Sequence, residues 1–424
     1  MGNFSAIRPG TDLSKHARDL ARTHDAVLGG TRPSMRPRDL VARSWGRALE
    51  LGLDPDGMNT RHPLQMDEVE RRRRDSPLRH VIDDLKQVVS SVADASHFLM
   101  VVTDADGIVL WREGASSVRR QADTLGFSEG ALWTESMVGT NAIGTALAEA
   151  APVQLFSAEH FEQNQHPWYC TASPIHDPRT GELLGIVDVS GPAMTLHPAI
   201  SALVETGVRL AEARLWRHHE EGLERLRRSA APLLATLSGP MLLVDDHGWV
   251  AHSSGIAVRE RIAAPRPDRA LAVPGLGLCL PEPLAVGWLI RPPGAEDSVV
   301  AELHLTGTPT LEVRAGAAAW RTTLTTRHAE ILLLLHDAGA PGLTAGQLSR
   351  RLYGDGAHLV TTRAEVSRLR RALGALVDTQ PYRIADGVRL TLALGPSGSL
   401  GECAVLRSST SPGVRALVLT HSPG

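Results

Sequence analysis

The chain has 424 residues, of which 42% are apolar, and a formal net charge of −3 at pH 7. This length exceeds what one hydrophobic core usually serves and predicts two to four domains. The near-neutral charge excludes a basic coat over the whole surface, so any contact with nucleic acid has to come from a local basic patch.

Cysteine usage and hydropathy favour the cytoplasm. The three cysteines, Cys170, Cys279 and Cys403, are too few and too far apart for a disulfide framework. No apolar run approaches the roughly 18–20 residues of a membrane span, and the N-terminus lacks the apolar segment of a signal peptide. We therefore expect a cytoplasmic protein without membrane contact.

Residues 1–76 predict an N-terminal helical region. Residues 12–30 have weak helical spacing and end at Gly29-Gly30, and a second helix starts near Ser34 and ends at Gly52. Arg71 to Arg74 form a charge run, for which a solvated helix face is the favoured interpretation and a phosphate contact the alternative.

Residues 77–195 predict a mixed sheet domain. A helix over 78–93 precedes a β-hairpin that turns at Asp104–Gly107, because Asp-Gly between apolar runs is a strong turn signal. A helix is expected over 142–150. Strands are expected over 153–156, 171–175 and 183–189. This alternation is typical of an α+β domain.

Residues 196–230 predict one long helix with a single apolar stripe. Such a stripe needs a partner. The sequence leaves two candidates, the same helix of a second subunit or the helix at 78–93. We expect a linker that carries a homodimer contact.

The C-terminal half predicts a second small sheet domain over 231–312 and a helical domain over 321–393. The latter has helices at 329–338, 344–353 and 361–376, followed by a hairpin over 382–390 that turns at Asp386-Gly387. Three helices and a hairpin predict a winged helix-turn-helix. Residues 394–424, rich in Gly, Ser and Pro, predict a flexible tail.

Several motifs occur in an order that identifies a family. They are SWGRALELGLDPD, WTESMVGTNAIGT at 133–145, EHF at 159–161, WYCTASPIHD and GIVDVSG. Over roughly residues 35–230 the chain resembles the sensor half of bacterial regulators related to the acetoin-catabolism activator. That resemblance implies N-terminal helices followed by a GAF domain. Residues 237–312 resemble a PAS domain, and VSRLRRALG followed by YRIADGVRL resembles the DNA-binding domain of OmpR-type response regulators.

The sequence departs from the acetoin-type activators in one respect. It has no G-x-x-x-x-G-K-[ST] loop to bind nucleotide phosphates, and no phosphoacceptor domain is evident. We therefore expect the chain to act by binding DNA, or by contacting RNA polymerase directly, with a small-molecule effector as its input.

The predicted ligand-binding residues surround the motifs of the sensor region. They are Trp133, Glu135, Asn141, Thr145, His160, Trp168, Cys170 and Asp188. Alternatively, Trp133 is a core residue and Asn141 caps the helix that follows it, and the two roles are compatible.

Metal binding and redox chemistry are the other functions that this region could support. Glu159, His160, His166 and His176 match no tight zinc spacing, so no metal or other cofactor is expected. Cys170 has no resolving cysteine nearby, which favours an inert thiol over redox chemistry. We therefore expect no catalytic residues.

The predicted DNA-binding domain is locally basic. Residues 321–390 hold ten arginines and six acidic residues on a chain whose net charge is negative, which is typical of phosphate contact. On a helical wheel, Thr362, Val366, Leu369 and Leu373 form the buried face. The predicted DNA contacts are Thr361, Arg363, Ala364, Ser367, Arg368, Arg370 and Arg371 on the helix, and Arg383 and Arg389 on the hairpin.

These features together predict a multidomain α+β, one-component transcriptional regulator that senses a small molecule and binds DNA. Two alternatives remain open at this point. One is a GAF-domain redox enzyme, and the other is a sensory adaptor without specific DNA binding.

Overall fold

A computed structural model describes residues 5–57, 59, 61–93, 98–257, 260–293, 299–315, 318–394 and 398–420. The chain divides into two compact units, Met1–Glu220 and Glu221–Gly424. Each unit combines helices with sheets, so the predicted multidomain α+β class is confirmed. Among the described residues, no helix combines the length and apolar character that crossing a bilayer requires.

The first unit contains one antiparallel sheet with helices on both faces. Its helices are α1 (Leu13–Leu28), α2 (Asp39–Glu50), α3 (Met66–Asp75), α4 (Ile82–Ala93), α5 (Ser116–Asp123), α6 (Glu135–Val138), α7 (Ala142–Glu149) and the first part of α8 (Ala199–Leu234). Its strands are β1 (Leu99–Thr103), β2 (Val109–Gly114), β3 (Val153–Phe156), β4 (Trp168–His176) and β5 (Leu183–Pro192), in the order β2-β1-β5-β4-β3.

Alternate residues of the central strands supply two separate hydrophobic cores. Met100 and Val102 of β1 face one core, and Leu99 and Val101 face the other, as expected for a strand whose side chains alternate. The predicted hairpin and the predicted strands of this unit are confirmed. Both faces of the sheet are covered, so residues on either side of a strand are buried. This explains why strands such as β1 and β5 are almost continuously apolar.

The N-terminal helices contribute to the same two cores as the sheet. Leu20 of α1 and Val69 of α3 belong to the first core, and Trp45 of α2 is fully buried in the second. The predicted boundary between residues 76 and 77 therefore does not separate two cores.

The apolar stripe of α8 is covered by its own unit. Ile200, Val204 and Val208 lie in the first core, and a Cβ atom on Gly207 would lie 3.6 Å from Leu85 of α4. Of the two partners left open by the sequence, the helix over 78–93 is the one observed. Part of the stripe is therefore covered within one chain, whereas Leu210 of the same helix is exposed.

Among its described residues, the second unit contains several small sheets, the last part of α8 and five further α-helices. Its strands are β6 (Met241–Val244), β7 (Val250–Ser254), β8 (Leu271–Val273), β9 (Gly277–Cys279), β10 (Glu282–Pro283), β11 (Trp288–Ile290), β12 (Val299–His304), β13 (Thr310–Ala315), β14 (Ala318–Thr323), β15 (Val377–Thr379), β16 (Tyr382–Ile384) and β17 (Val388–Ala393). Its helices are α9 (Thr326–Ala338), α10 (Ala345–Tyr353), α11 (Leu359–Leu373), α12 (Ala404–Arg407) and α13 (Pro412–Thr420).

One sheet joins the two predicted C-terminal domains. Its order is β14-β13-β12-β17, with β12 and β17 parallel. The predicted boundary between residues 312 and 321 therefore lies inside a sheet whose residues share one core with α9, α10 and α11. The predicted hairpin over 382–390 is wrong as well, because β16 pairs with β15 and β17 pairs with β12.

The prediction of a flexible tail over 394–424 is wrong for the residues described. Leu400, Leu406 and Val414 are buried in the core around α9. The hydroxyl of Ser411 donates to the backbone carbonyl of Arg351 at 2.8 Å. The composition is that of a loop, but the few apolar residues of this segment are spaced so that α12 and α13 can bury them.

Candidate functional site

The WTESMVGTNAIGT segment forms a tight corner between two short helices. α6 ends at Gly139, whose φ is +73°, and a Cβ atom there would lie 2.4 Å from the ring of Phe161. Asn141 then caps α7: its side chain accepts from the backbone N–H of Gly144 at 2.9 Å and donates to the carbonyl of Gly139 at 2.9 Å. The cap predicted as the alternative role of Asn141 is therefore present.

A small cavity lies between this corner and one face of the sheet. It has about 20 Å³ of space for the centre of a water molecule, which is room for little more than one water. Its walls are mostly apolar, as is usual for a small-molecule site. The lining residues are Leu125, Phe127, Trp133, Asn141, Ala142, Ile143, Gln165, Trp168, Cys170, Asp188 and Ser190.

Five of the predicted ligand-binding residues line this cavity, namely Trp133, Asn141, Trp168, Cys170 and Asp188. Gln165 and Ser190 were missed as candidates. Ser190 could have been found from strand periodicity, because it lies two residues after Asp188 and so on the same face of β5. Gln165 lies in a short helical turn at 163–165, and no local pattern singles it out.

A short polar network forms one wall. Cys170 and Ser190 are opposite each other on β4 and β5, with the sulfur 3.1 Å from the hydroxyl oxygen. The Ser190 hydroxyl also donates to Oδ2 of Asp188. Within the described part of the chain, Oδ1 of Asp188 and the indole Nε1–H of Trp133 are buried without a hydrogen-bond partner. Both residues line the cavity, whose surface is almost entirely apolar.

Burial governs the ionisation of this wall. It raises the pKa of Asp188 to about 7, despite the hydrogen bond from Ser190. Burial, followed by the proximity of Asp188, raises the pKa of the Cys170 thiol well above its usual range. The thiol therefore stays protonated at neutral pH, which opposes its use as a nucleophile.

Three predicted ligand-binding residues lie outside the cavity lining. Glu135 accepts from Nε of Arg47 at 2.7 Å and from the hydroxyl of Ser44 at 2.5 Å, so its carboxylate attaches α2 to α6. Thr145 is buried behind the corner, 3.4 Å from the same Ser44 hydroxyl. His160 is fully buried, its Nδ1 lies 2.9 Å from the carbonyl oxygen of Ser157, and burial lowers its pKa to about 4.

Two further carboxylates hold the N-terminal segment against the sheet. Glu159 pairs with Arg38 at 2.6 Å, and Glu162 pairs with Arg61 at 2.5 Å. Both carboxylates are almost completely buried. Arg38 and Arg61 neutralise these two carboxylates. Both oxygens of Glu159 accept hydrogen bonds from Arg38, so this carboxylate is not available as a metal ligand.

The second candidate element is helix α11 of the C-terminal unit. Its buried side is formed by Thr362, Val366, Leu369 and Leu373, as the wheel predicts. The predicted DNA-facing residues Thr361, Arg363, Ala364, Ser367, Arg368 and Arg371 are all exposed. Among the described residues, neither Arg363 nor Arg371 forms an ion pair, so both guanidinium groups face solvent.

The other arginines predicted to contact DNA differ in whether their guanidinium groups are already engaged within the protein. Nε of Arg370 donates to the carbonyl of Val377 at 3.0 Å, so this half-buried side chain supports the fold. Arg383 pairs with Asp378 at 3.2 Å and with Asp386 at 2.6 Å. Arg368 pairs with Glu365 at 2.6 Å on the surface, where such a pair is weak. Arg389 is exposed.

A basic groove runs beside α11. The backbone N–H of Ala375 donates to the carbonyl of Ala270 at 3.0 Å, which places the segment around Arg269 next to the helix. Arg269, Arg363, Arg370 and Arg371 all line the groove. The sequence did not single out Arg269, because it lies about a hundred residues before α11 in a loop-rich stretch.

Comparison with known proteins finds a relative that matches almost the whole chain and a domain family that matches its first unit. The chain is 31% identical over 427 residues to the “Uncharacterized 47.3 kDa protein in thcA 5'region” of Rhodococcus erythropolis, with 96% of this chain and 81% of that protein covered. The chain belongs to the family of that protein. The family model “MimR, N-terminal domain” matches residues 19–210 of this chain, almost all of the first unit.

Two named regulators are similar to part of the chain. The “Acetoin dehydrogenase operon transcriptional activator AcoR” of Bacillus subtilis (strain 168) is 32% identical over 239 residues, covering 56% of this chain and 39% of that protein. The “Propane 2-monooxygenase operon transcriptional activator MimR” of Mycolicibacterium smegmatis is 31% identical over 177 residues, covering 41% of this chain and 29% of that protein. The chain spans well under half the length of either activator.

Proposed function

We propose that this protein is a transcriptional regulator in which a small molecule, bound in the cavity of the first unit, controls DNA binding by α11 of the second. The first unit would be a GAF-type sensor, residues 231–293 a PAS-like part, and residues 299–393 a winged helix with an N-terminal sheet. The observation that carries the proposal is the exposed basic face of α11, supported on its other side by an apolar core.

The arrangement of α11 suits the major groove. Its free face carries small residues, Ala364 and Ser367, beside Arg368 and Arg371, so the backbone can approach the base edges closely. Arginine pairs bidentately with guanine there. Arg363 and Arg269, which line the adjoining groove, are suited to the phosphate backbone.

The cavity defines the chemistry of the proposed effector. Its space and apolar walls favour a molecule of few heavy atoms. The buried, unused Nε1–H of Trp133 needs an acceptor, and Oδ1 of Asp188 needs a donor, because an unpaired buried polar group is costly. A short-chain compound with a hydroxyl group would supply both partners. It has to widen the cavity, which in this structure has room for little more than one water.

The named relatives support the same class of function. AcoR and MimR are both named as transcriptional activators of operons, and the MimR-type N-terminal domain coincides with the unit that contains the cavity. A homodimer would let two copies of α11 read paired half-sites, and sedimentation of the purified protein measures it.

The test is a binding titration with DNA from the region upstream of the protein's own gene. We expect specific binding by the wild type and a large loss in a double variant, Arg368→Ala with Arg371→Ala. The matched control is Arg119→Ala with Arg120→Ala, which removes the same charge from exposed positions of α5. Equal affinities for the two double variants, or no difference between upstream and random DNA, would contradict the proposal.

A further inference from the structure

A histidine and two glutamates lie together on the outer face of the sheet that contains β12 and β13. Along β12, Val299, Ala301 and Leu303 face the core, so Glu302 and His304 project to the opposite side. Glu312 of β13 is the direct cross-strand partner of Glu302. The sheet register therefore brings three potential metal ligands to one place.

The distances between the ligand atoms fit a shared metal ion better than hydrogen bonds. Nε2 of His304 lies 3.6 Å from Oε2 of Glu302 and 3.8 Å from Oε2 of Glu312. Both are longer than a hydrogen bond of about 2.7–3.2 Å. Bonds of about 2.0–2.2 Å to one tetrahedral ion hold two ligand atoms roughly 3.4 Å apart. The three ligand atoms all lie within 4.8 Å of one another.

Within the described ranges, the histidine of the cluster has an unused nitrogen, and the carboxylates already have Arg314 and Arg321 nearby, the latter directly across the strand from Glu312. Nε2 of His304 is buried and has no hydrogen-bond partner among the described residues. Two carboxylates placed directly opposite each other on neighbouring strands repel. Arg314 donates from Nε to Oε1 of Glu312 at 2.7 Å, which compensates one oxygen and leaves Oε2 directed at the histidine.

We propose that Glu302, His304 and Glu312 bind a divalent transition-metal ion of the Zn²⁺ type, with one nitrogen and two oxygen ligands and water at the remaining position. One imidazole with two carboxylates is a ligand set that Zn²⁺ accepts, and Mg²⁺ disfavours imidazole. The sequence did not predict this site, because its ligands meet through strand register and form no short spacing motif.

The test is calorimetric titration of the full chain with Zn²⁺ after treatment with a chelator. We expect the wild type to bind one equivalent of Zn²⁺ at this site. His304→Ala should lose this equivalent or bind it at least about tenfold more weakly. Glu302→Gln, which keeps the size and shape of the side chain, is expected to lose the same equivalent. Thermal melts of each variant without metal identify any loss of folding, and the glutamine variant keeps the test valid if the alanine variant unfolds.

The matched control is His197→Ala, which removes an exposed histidine of the first unit. It is expected to bind Zn²⁺ as the wild type does, and Mg²⁺ is expected to show no equivalent that depends on His304. The proposal is overturned if the wild type binds no Zn²⁺, or if its binding is the same as that of His304→Ala and Glu302→Gln.

Discussion

Replacing Asp188 with asparagine tests the electrostatics of the cavity. Burial raises the pKa of this carboxyl to about 7, against an ordinary value of about 3.9. An acid whose pKa is higher in the folded state binds more protons when folded than when unfolded. The free energy of unfolding therefore falls as pH rises from the ordinary pKa to the folded one, and then levels off.

The size of the effect follows from these two pKa values. Between pH 5 and pH 8, Asp188 should lower the stability of the wild type by about 3 kcal/mol. Asp188→Asn cannot ionise, so its stability relative to the wild type should rise by that amount over the same interval. At pH 5 the variant should be slightly less stable, because its amide leaves buried polar atoms unpaired at a cost of about 1–3 kcal/mol.

The assay is urea unfolding at pH 5, 6.5 and 8, followed by tryptophan fluorescence. Trp133 and Trp168 line the same cavity and contribute to a signal that the chain's eight tryptophans share. Groups that titrate alike in both proteins cancel in the comparison. Glu182→Gln, at an exposed position just before β5, is the control and should follow the wild type. If Asp188→Asn follows the wild type as well, the argument from burial is refuted.

Three other predictions concern binding and stability. Arg368→Ala should weaken specific DNA binding more than non-specific binding, by about 1–3 kcal/mol. Arg363→Ala should weaken both kinds of binding alike and lower the slope of log affinity against log salt concentration by about one. Parallel titrations in which both variants lose affinity in the same ratio on specific and random DNA would contradict the assignment. Asn141→Ala should cost about 1 kcal/mol in thermal melts and Asn141→Ser much less, since serine also caps; equal melting points would show that the cap is unimportant. Glu162→Gln should destabilise the protein by about 3–5 kcal/mol in urea, because it leaves Arg61 buried and unpaired, and an unchanged midpoint would refute this.

Local patterns predicted most strands and helices because apolar spacing depends on neighbouring residues. The run from Leu183 to Val189 is one example, since it had to be buried on both faces. Asp188 was identified because it is a carboxylate near the end of that run. The pairing of Cys170 with Ser190 depends on strand register, which no local pattern gives.

The wrong predictions involve contacts between residues distant in sequence. Strand β17 pairs with β12, about ninety residues earlier, while the local Asp386-Gly387 signal favoured a hairpin. Glu135 was taken for a ligand residue because it lies in a glycine-containing motif. Its partner Arg47 lies 88 residues away, so its structural role becomes visible only when α2 packs against α6.

The central claim is that occupancy of the cavity changes the affinity for DNA. The most direct measurement is the Kd for an upstream DNA fragment, with the protein first stripped of small molecules and then reloaded with the compound found bound by native mass spectrometry. We predict a change of about fivefold or more on loading. Trp133→Phe, which removes the buried N–H donor and part of the ring that lines the cavity, should reduce this response. The same Kd with the cavity empty and filled, while mass spectrometry shows the compound bound, would contradict the account.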